Sequence, residues 1–317
     1  MQRKHKRNIW ISLLIVTGLF LTIACHTHSN RKTFPAATII RDKPPFITEV
    51  PPIKPRMRKE KTISILTYNI CWECMTHSRT LGASCSIVSD QRTICAQNVG
   101  ENIKKATEDY GDLDFIALQE ATHHEIIEQD LPTVFSNFAS VAHKSGLEEQ
   151  ITYYNKNMYT LWKKITGEFE SGRPYQILLF KQKLILVNLH NGHTATREKM
   201  ELALSKGLTA HLTQDEITSL QSYRIILAGD FNDHDTALRK LAPFSYAGIS
   251  TEVSLKISSP PKTCCTNPGT AGHTSTIDYI LDSNPSRPIK WEIPTHYEWK
   301  KPASDHLPVI GVLPHAV

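Results

Sequence analysis

The chain has 317 residues, 40% of them hydrophobic and 21% charged. That composition supplies a packed core and excludes the apolar-poor, highly charged make-up of a disordered chain. The formal net charge of +5 is unevenly spread: 13 of the 36 Lys and Arg but 3 of the 31 Asp and Glu precede Thr62, which leaves 23 basic against 28 acidic residues from there on. The positive balance therefore belongs to the N-terminal stretch and is no argument for a broad nucleic-acid-binding face on the remainder.

Arg3, Lys4, Lys6 and Arg7 precede an apolar run of 17 residues, Ile9 to Cys25. A basic start followed by an apolar stretch marks residues 1–29 as a signal peptide or a signal anchor. The run is longer than a usual signal core and falls short of the roughly 20 residues of a spanning helix. Either reading predicts an exported protein, secreted or membrane-anchored, with a membrane as partner if the segment is retained. Ala24-Cys25 is similar to the end of a bacterial lipoprotein signal, with Thr22 where Leu is usual. Residues 30–61, with Pro35, Pro44, Pro45, Pro51, Pro52 and Pro55 among basic residues, read as an extended linker. Residues 62–317 remain for a catalytic domain.

In that domain Ile63 to Ile70 is a short β-rich run, and Thr93 to Glu108 reads as a helix ending near Gly111. Asp114 to Leu118 is a buried strand. Gln150 to Tyr154, Tyr175 to Phe180 and Leu184 to Leu189 follow as strands. From Arg197 a helix is predicted, because Met200, Leu204, Leu208 and Leu212 recur on one face. Arg224 to Ala228, Ile277 to Leu281 and Pro308 to Leu313 complete the strands. Many strands with interspersed helices predict a sheet core with flanking helices.

Six cysteines lie beyond the leader: Cys71, Cys74, Cys85, Cys95, Cys264 and Cys265. In an exported domain an even number predicts at least one disulfide. The rivals are a zinc site on Cys71-x-x-Cys74, for which Cys85 and Cys95 supply no second close pair, and, if the domain is not exported, small buried thiols.

Several apolar runs stop at a carboxylate, an amide or an imidazole: Asn69, Glu120, His190, Asp230 with Asn232, Asp278, and Asp305 with His306. One such residue is a turn former or a cap. Six in order predict that the polar groups converge on one rim of a sheet. Oxygen donors such as Glu120 and Asn69 suit Mg²⁺, Mn²⁺ or Ca²⁺ rather than zinc. Histidines beside carboxylates suit proton transfer or stabilisation of transition-state charge.

The ordered set Thr-Tyr-Asn69, Gln119-Glu120, Leu-His190, Gly-Asp230-Phe-Asn232, Ile-Asp278-Tyr and Ser304-Asp305-His306 resembles the DNase I-like endonuclease/exonuclease/phosphatase superfamily, over nearly all of Thr62 to Leu313. The resemblance implies a four-layered α/β sandwich of α+β class, two mostly antiparallel sheets face to face with helices outside. It implies hydrolysis of phosphate esters with Mg²⁺ as cofactor, Mn²⁺ or Ca²⁺ being alternatives. By the same resemblance Glu120 binds the metal, Asn69 supports it, and Asp305 joins the metal and water network. Asp230 orients or deprotonates the attacking water, and Asn232 holds a phosphate oxygen. His190 pairs with Glu149, and His306 with Asp278. Arg173 and His193 are candidate phosphate contacts, while His123, His124, His234 and His273 are expected to be solvated or structural. The expected partner is a phosphoester, nucleic acid among the candidates, with no obligate protein partner. A nuclease-like activity is favoured over a sphingomyelin- or phosphoinositide-type lipid phosphoesterase, since fold alone does not settle substrate. A non-enzymatic binding module on the same scaffold should have lost one of Glu120, His190, Asp230, Asp278 or His306, and none is missing.

Overall fold

The computed structural model describes residues 62–89, 92–111, 113–146, 148–194, 196–233, 240–255, 262–265, 275–284, 290–292 and 302–314. The predicted signal segment, the linker, His234 and His273 lie outside the described residues. Among those described, no helix is long and apolar enough to cross a membrane.

The chain opens with β1 (Thr62–Asn69), α1 (Trp72–Thr76), α2 (Arg79–Gly82), β2 (Ile87–Ser89), β3 (Arg92–Thr93) and α3 (Ile94–Tyr110). There follow β4 (Phe115–Gln119), α4 (His124–Asp130), α5 (Pro132–Phe135), β5 (Phe138–Ser145), β6 (Glu148–Asn155), β7 (Leu161–Glu168), β8 (Pro174–Phe180) and β9 (Leu184–His190). The remainder holds α6 (Arg197–His211), α7 (Gln214–Ser219), β10 (Arg224–Asp230), β11 (Lys240–Leu241), β12 (Val253–Ser254), β13 (Asp278–Asp282), β14 (Lys290–Glu292) and β15 (Val309–Pro314). One sheet runs β14-β15-β1-β4-β6-β5 and the other β11-β12-β13-β10-β9-β8-β7. The pairs β1–β4 and β9–β10 are parallel, and the other ladders of the two sheets are antiparallel.

Alternation along β1 explains the layering. Ile63 and Ile65 face the second sheet and join the core that holds Ile177, Val187 and Leu227. Leu66 and Tyr68 face the other way, onto Val99, Ile103 and Ala106 of α3. On the far side α6 buries Met200, Leu204 and Leu208 in the first core. The result is helix, sheet, sheet, helix. Full burial of each such aliphatic side chain contributes about 1.5–3 kcal/mol. Thr93 caps α3 by accepting a bond from Ala96 N at 3.0 Å, and Gly111, at φ 74°, ends the helix where a side chain would be strained.

Near the rim the interface between the sheets turns polar. Gln119 Nε2 and Gln150 Nε2 each donate to Asn188 Oδ1 at 2.8 Å, and Asn188 Nδ2 donates to Thr152 Oγ1 at 2.9 Å. Thr152 in turn donates to Gln176 Oε1 at 2.6 Å. These buried amides bridge β4, β6, β8 and β9. A seam paired this densely locks the two sheets in one register, because sliding would strand buried donors at about 1–3 kcal/mol each.

Candidate active site

The parallel strands β1, β4, β9 and β10 end where the antiparallel β6 and β13 begin, so their terminal residues share one rim. Register lines up three of them directly: His190 is opposite Asp230, and Asp230 is opposite Asp278. The approach of β9 to β10 needs Gly229, at φ 150°, where a Cβ would run into the carbonyl oxygen of Leu189.

Asp230, buried, is the hub. Its Oδ2 accepts from Asn69 Nδ2 at 3.0 Å, and its Oδ1 accepts from Asn232 N at 2.8 Å. Oδ2 also stands 3.5 Å from His190 Nε2 and 3.7 Å from His306 Nε2, so two imidazoles flank one carboxylate. Asn69 donates from the same Nδ2 to Glu120 Oε1 at 3.2 Å, while its Oδ1 accepts from Cys71 N. Asn69 therefore reaches the site by fixing Glu120 and Asp230. Glu120 sits at φ 53° just past β4, and its Oε2 accepts from Trp72 N at 3.1 Å.

His306 directs Nδ1 at Asp278, 3.0 Å from Oδ2 and 3.2 Å from Oδ1. Burial alone would lower its pKa, but Asp278, Asp305 and Asp230 outweigh it and hold the imidazole well above its ordinary value. His190 is equally buried and goes the other way: desolvation lowers it to about 4, with Asp230 and Glu120 offsetting only part. The site thus drives the two rings apart, His306 towards the imidazolium and His190 towards the neutral form.

The expected partner of His190 needs correction. Glu148, not Glu149, lies 3.0 Å from His190 Nδ1, close but without the alignment of a hydrogen bond. Side chains alternate along β6, so Glu148 shares the inter-sheet face with Gln150 and Thr152. Glu149 shares the helix-side face with Ile151 and Tyr153 and comes within 3.8 Å of His124. His123 and His124 stand beside Glu125 at the start of α4, as befits structural histidines.

Trp72, Glu120, Glu148, Arg173, His193, Asp230, Asn232, Asp305 and His306 line one open cleft of about 620 Å³. Arg173 Nη2 donates to His193 Nε2 at 3.1 Å, and its Nε is 3.6 Å from Glu148. Asn232 turns its Nδ2 to Asn191 O. Arg79 stacks its guanidinium over the Trp72 ring at 4.8 Å on the cleft edge.

The carboxylates fit a hard divalent cation. Burial raises the pKa of Glu120 and of Asp305, and Glu148 and Asp305 add repulsion at Glu120. A cation among these oxygen donors would relieve both effects. Magnesium, manganese and calcium all answer to that donor set.

Among the described residues all six cysteines are paired: Cys71–Cys74, Cys85–Cys95 and Cys264–Cys265. The predicted disulfide is thus present threefold, and the Cys71-x-x-Cys74 sulfurs are bonded to each other rather than held open for zinc. Thr263 is a residue the sequence reading missed. Buried beside the pair, its Oγ1 accepts from the N–H groups of Ile277 and Asp278, and its carbonyl accepts from Leu307 N. It ties Asp278 to the loop that carries His306. Nothing but its neighbouring cysteines set it apart in the sequence.

No family model matches the chain. An uncharacterised protein of Acanthamoeba polyphaga mimivirus is 29% identical over 260 residues, covering 78% of this chain and 50% of that protein. The chain thus spans about half the length of this curated relative. Among solved structures, an endonuclease/exonuclease/phosphatase family protein from Bacteroides thetaiotaomicron matches with TM-score 0.51 at 18% identity, over 82% of this chain and 100% of that one. The human Nocturnin catalytic domain, solved with a bound sulfate anion, matches with TM-score 0.51 at 17% identity, over 79% and 93%. Truncated Caenorhabditis elegans TDP2 matches with TM-score 0.50 at 16% identity, over 80% and 98%.

Proposed function

We propose that this chain, which has the DNase I-like fold of the endonuclease/exonuclease/phosphatase proteins, is a divalent-metal-dependent phosphodiesterase of nuclease-like specificity. The observation that carries the reading is the pair of imidazoles around Asp230, one pushed up and one pushed down in pKa, beside the carboxylates of Glu120 and Asp305. Titrating groups driven apart in this way supply an acid and a base in one cleft at neutral pH.

Glu120 and Asp305 would hold the cation directly, with Asn69 orienting Glu120. When bound, the cation draws charge from the phosphate oxygens. Asp230, fixed by Asn69 and by the N–H of Asn232, aligns the attacking water and accepts its proton, with neutral His190 as a second acceptor. His306 donates from Nε2 to the charge that develops on the phosphate or the leaving oxygen, and Asp278 keeps its other nitrogen occupied. Arg173 and His193 meet phosphate at one side of the cleft. The Trp72–Arg79 stack offers an aromatic and cationic rim of the kind that receives a base. This rim favours a nucleotide chain over a lipid headgroup.

The deciding measurement is a hydrolysis screen with Mg²⁺ and Mn²⁺ on plasmid DNA, RNA, inositol phosphates, sphingomyelin and bis(p-nitrophenyl) phosphate, each with an EDTA control. Metal-dependent cleavage of DNA or RNA is expected. Cleavage of sphingomyelin alone would move the assignment to lipids, and undiminished activity in EDTA would overturn the metal.

A further inference from the structure

Cys264 and Cys265 stand in the strap that Thr263 ties to β13 and to the His306 loop. The four residues of Cys71–Cys74 and Cys85–Cys95 are buried, and so is Cys264, but Cys265 is exposed and lines the mouth of the cleft. Among the described residues it is the disulfide sulfur that a dithiol in solvent can attack. Its Sγ lies 3.9 Å from His306 Nε2, and a ligand atom from each of Cys264, Cys265 and His306 falls within 4.8 Å of the others. His306 has Nδ1 turned to Asp278, so Nε2 is its available ligand atom. A carboxylate on the far nitrogen is the support that metal-binding imidazoles carry.

We propose that Cys264, Cys265 and His306 form a redox-gated site for a thiophilic divalent cation, Zn²⁺ foremost, which occupies His306 Nε2 when filled. A dithiol reductant opens it. One of its thiolates attacks Cys265 Sγ, the bond between the cysteines breaks, and the Cys264 sulfur leaves with the electron pair and takes a proton. The second thiol of the reductant then displaces the Cys265 sulfur, which is protonated in turn, and the reductant ends as its own disulfide. Two electrons have passed to the cysteine pair. Zinc then displaces the two thiol protons and the Nε2 proton of His306 to water and takes both sulfurs and Nε2. Two sulfurs and an imidazole select zinc, whereas Glu120 and Asp305 offer only oxygen to a hard cation, so the two ions do not compete for the same donors. Filling the site removes the proton that His306 donates, and this consequence alone rests on the phosphodiesterase reading. Oxidation to the disulfide withdraws both sulfurs and leaves His306 free.

The test is zinc binding by the full chain before and after reduction with dithiothreitol and anaerobic desalting, read by competition with a chromophoric chelator. Alkylation and mass spectrometry locate the thiols. Reduction is expected to add one zinc equivalent per chain, with Cys264 and Cys265 alkylated in the zinc-free sample. The Cys264→Ser/Cys265→Ser variant should lose that equivalent while keeping its thermal midpoint, and Asp278→Asn should weaken it about 10–100-fold. Cys264 and Cys265 unmodified after reduction would overturn the gate. An unchanged zinc equivalent in the double variant would overturn the site. Zinc binding in a protein that hydrolyses no phosphoester would uphold the site and count against the phosphodiesterase reading alone.

Discussion

His190 and His306 are chemically alike and sit on either side of one carboxylate, yet burial decides one and acidic neighbours decide the other. Replacing either by Ala should leave the far-UV circular dichroism unchanged and cut turnover, by about 10²–10³-fold for His306 as a donor to the transition state and by about 10²-fold or more for His190 as a proton acceptor. The His306 variant should also lose the basic limb of the kcat/KM profile. A raised pKa keeps the ring protonated through neutral pH, so activity falls only as pH climbs past the ordinary imidazole range. Asp278→Asn combined with His306→Ala should cost less than the product of the two single losses, because Asp278 acts through that ring. The pairing at His190 has its own check: Glu148→Gln should lower turnover, and Glu149→Gln should leave it near wild type. The reverse order would restore Glu149 as the partner.

At the scale of elements, the strands that could be read in the sequence are those buried on both faces. β8, β9 and β10 are near-continuous apolar runs, and the structure places them within two residues of the reading. β5 and β7 were missed because they are edge strands. Their mixed burial leaves Lys163, Lys164, His143 and Lys144 among apolar residues, and no run survives. Adjacent Glu148 and Glu149 could have been separated by period-two alternation, since Ile151 and Tyr153 mark the helix side. The amide seam of Gln119, Gln150, Gln176 and Asn188 was illegible, because a buried amide inside an apolar run has no partner until the second sheet is in place. The closeness of β9 and β10 yields a prediction of its own. Gly229→Ala combines a backbone clash at Leu189 with a φ that costs about 1–3 kcal/mol. Chemical denaturation should show at least that loss. A neutral result would mean the two strands are further apart at this point.

For the molecule as a whole, the acidic cluster couples folding to pH and, on the proposed reading, would couple it to a cation. In metal-free protein Glu120 and Asp305 have raised pKa values, so the folded state holds their protons more tightly than the unfolded chain does. Their contribution to stability is complete below the ordinary carboxylate pKa and is lost as pH rises through the folded values. His306 has the same sign, its contribution being complete below about 6.5 and lost above that through its raised pKa. His190 has the opposite sign and loses its contribution as pH falls from about 6.5 towards 4. On the proposed reading a cation would bind the ionised carboxylates and so compete with the protons on Glu120 and Asp305. Its stabilisation must therefore grow with pH. Thermal melts with Mg²⁺ at a hundredfold excess over Kd should rise by about 5–10 °C at pH 8, and by clearly less at pH 5. Glu120→Gln should flatten the difference, because one carboxylate no longer has a proton to give up. A magnesium shift of equal size at both pH values, or one that survives Glu120→Gln unchanged, would place the cation on other groups and leave this acidic rim without its ion.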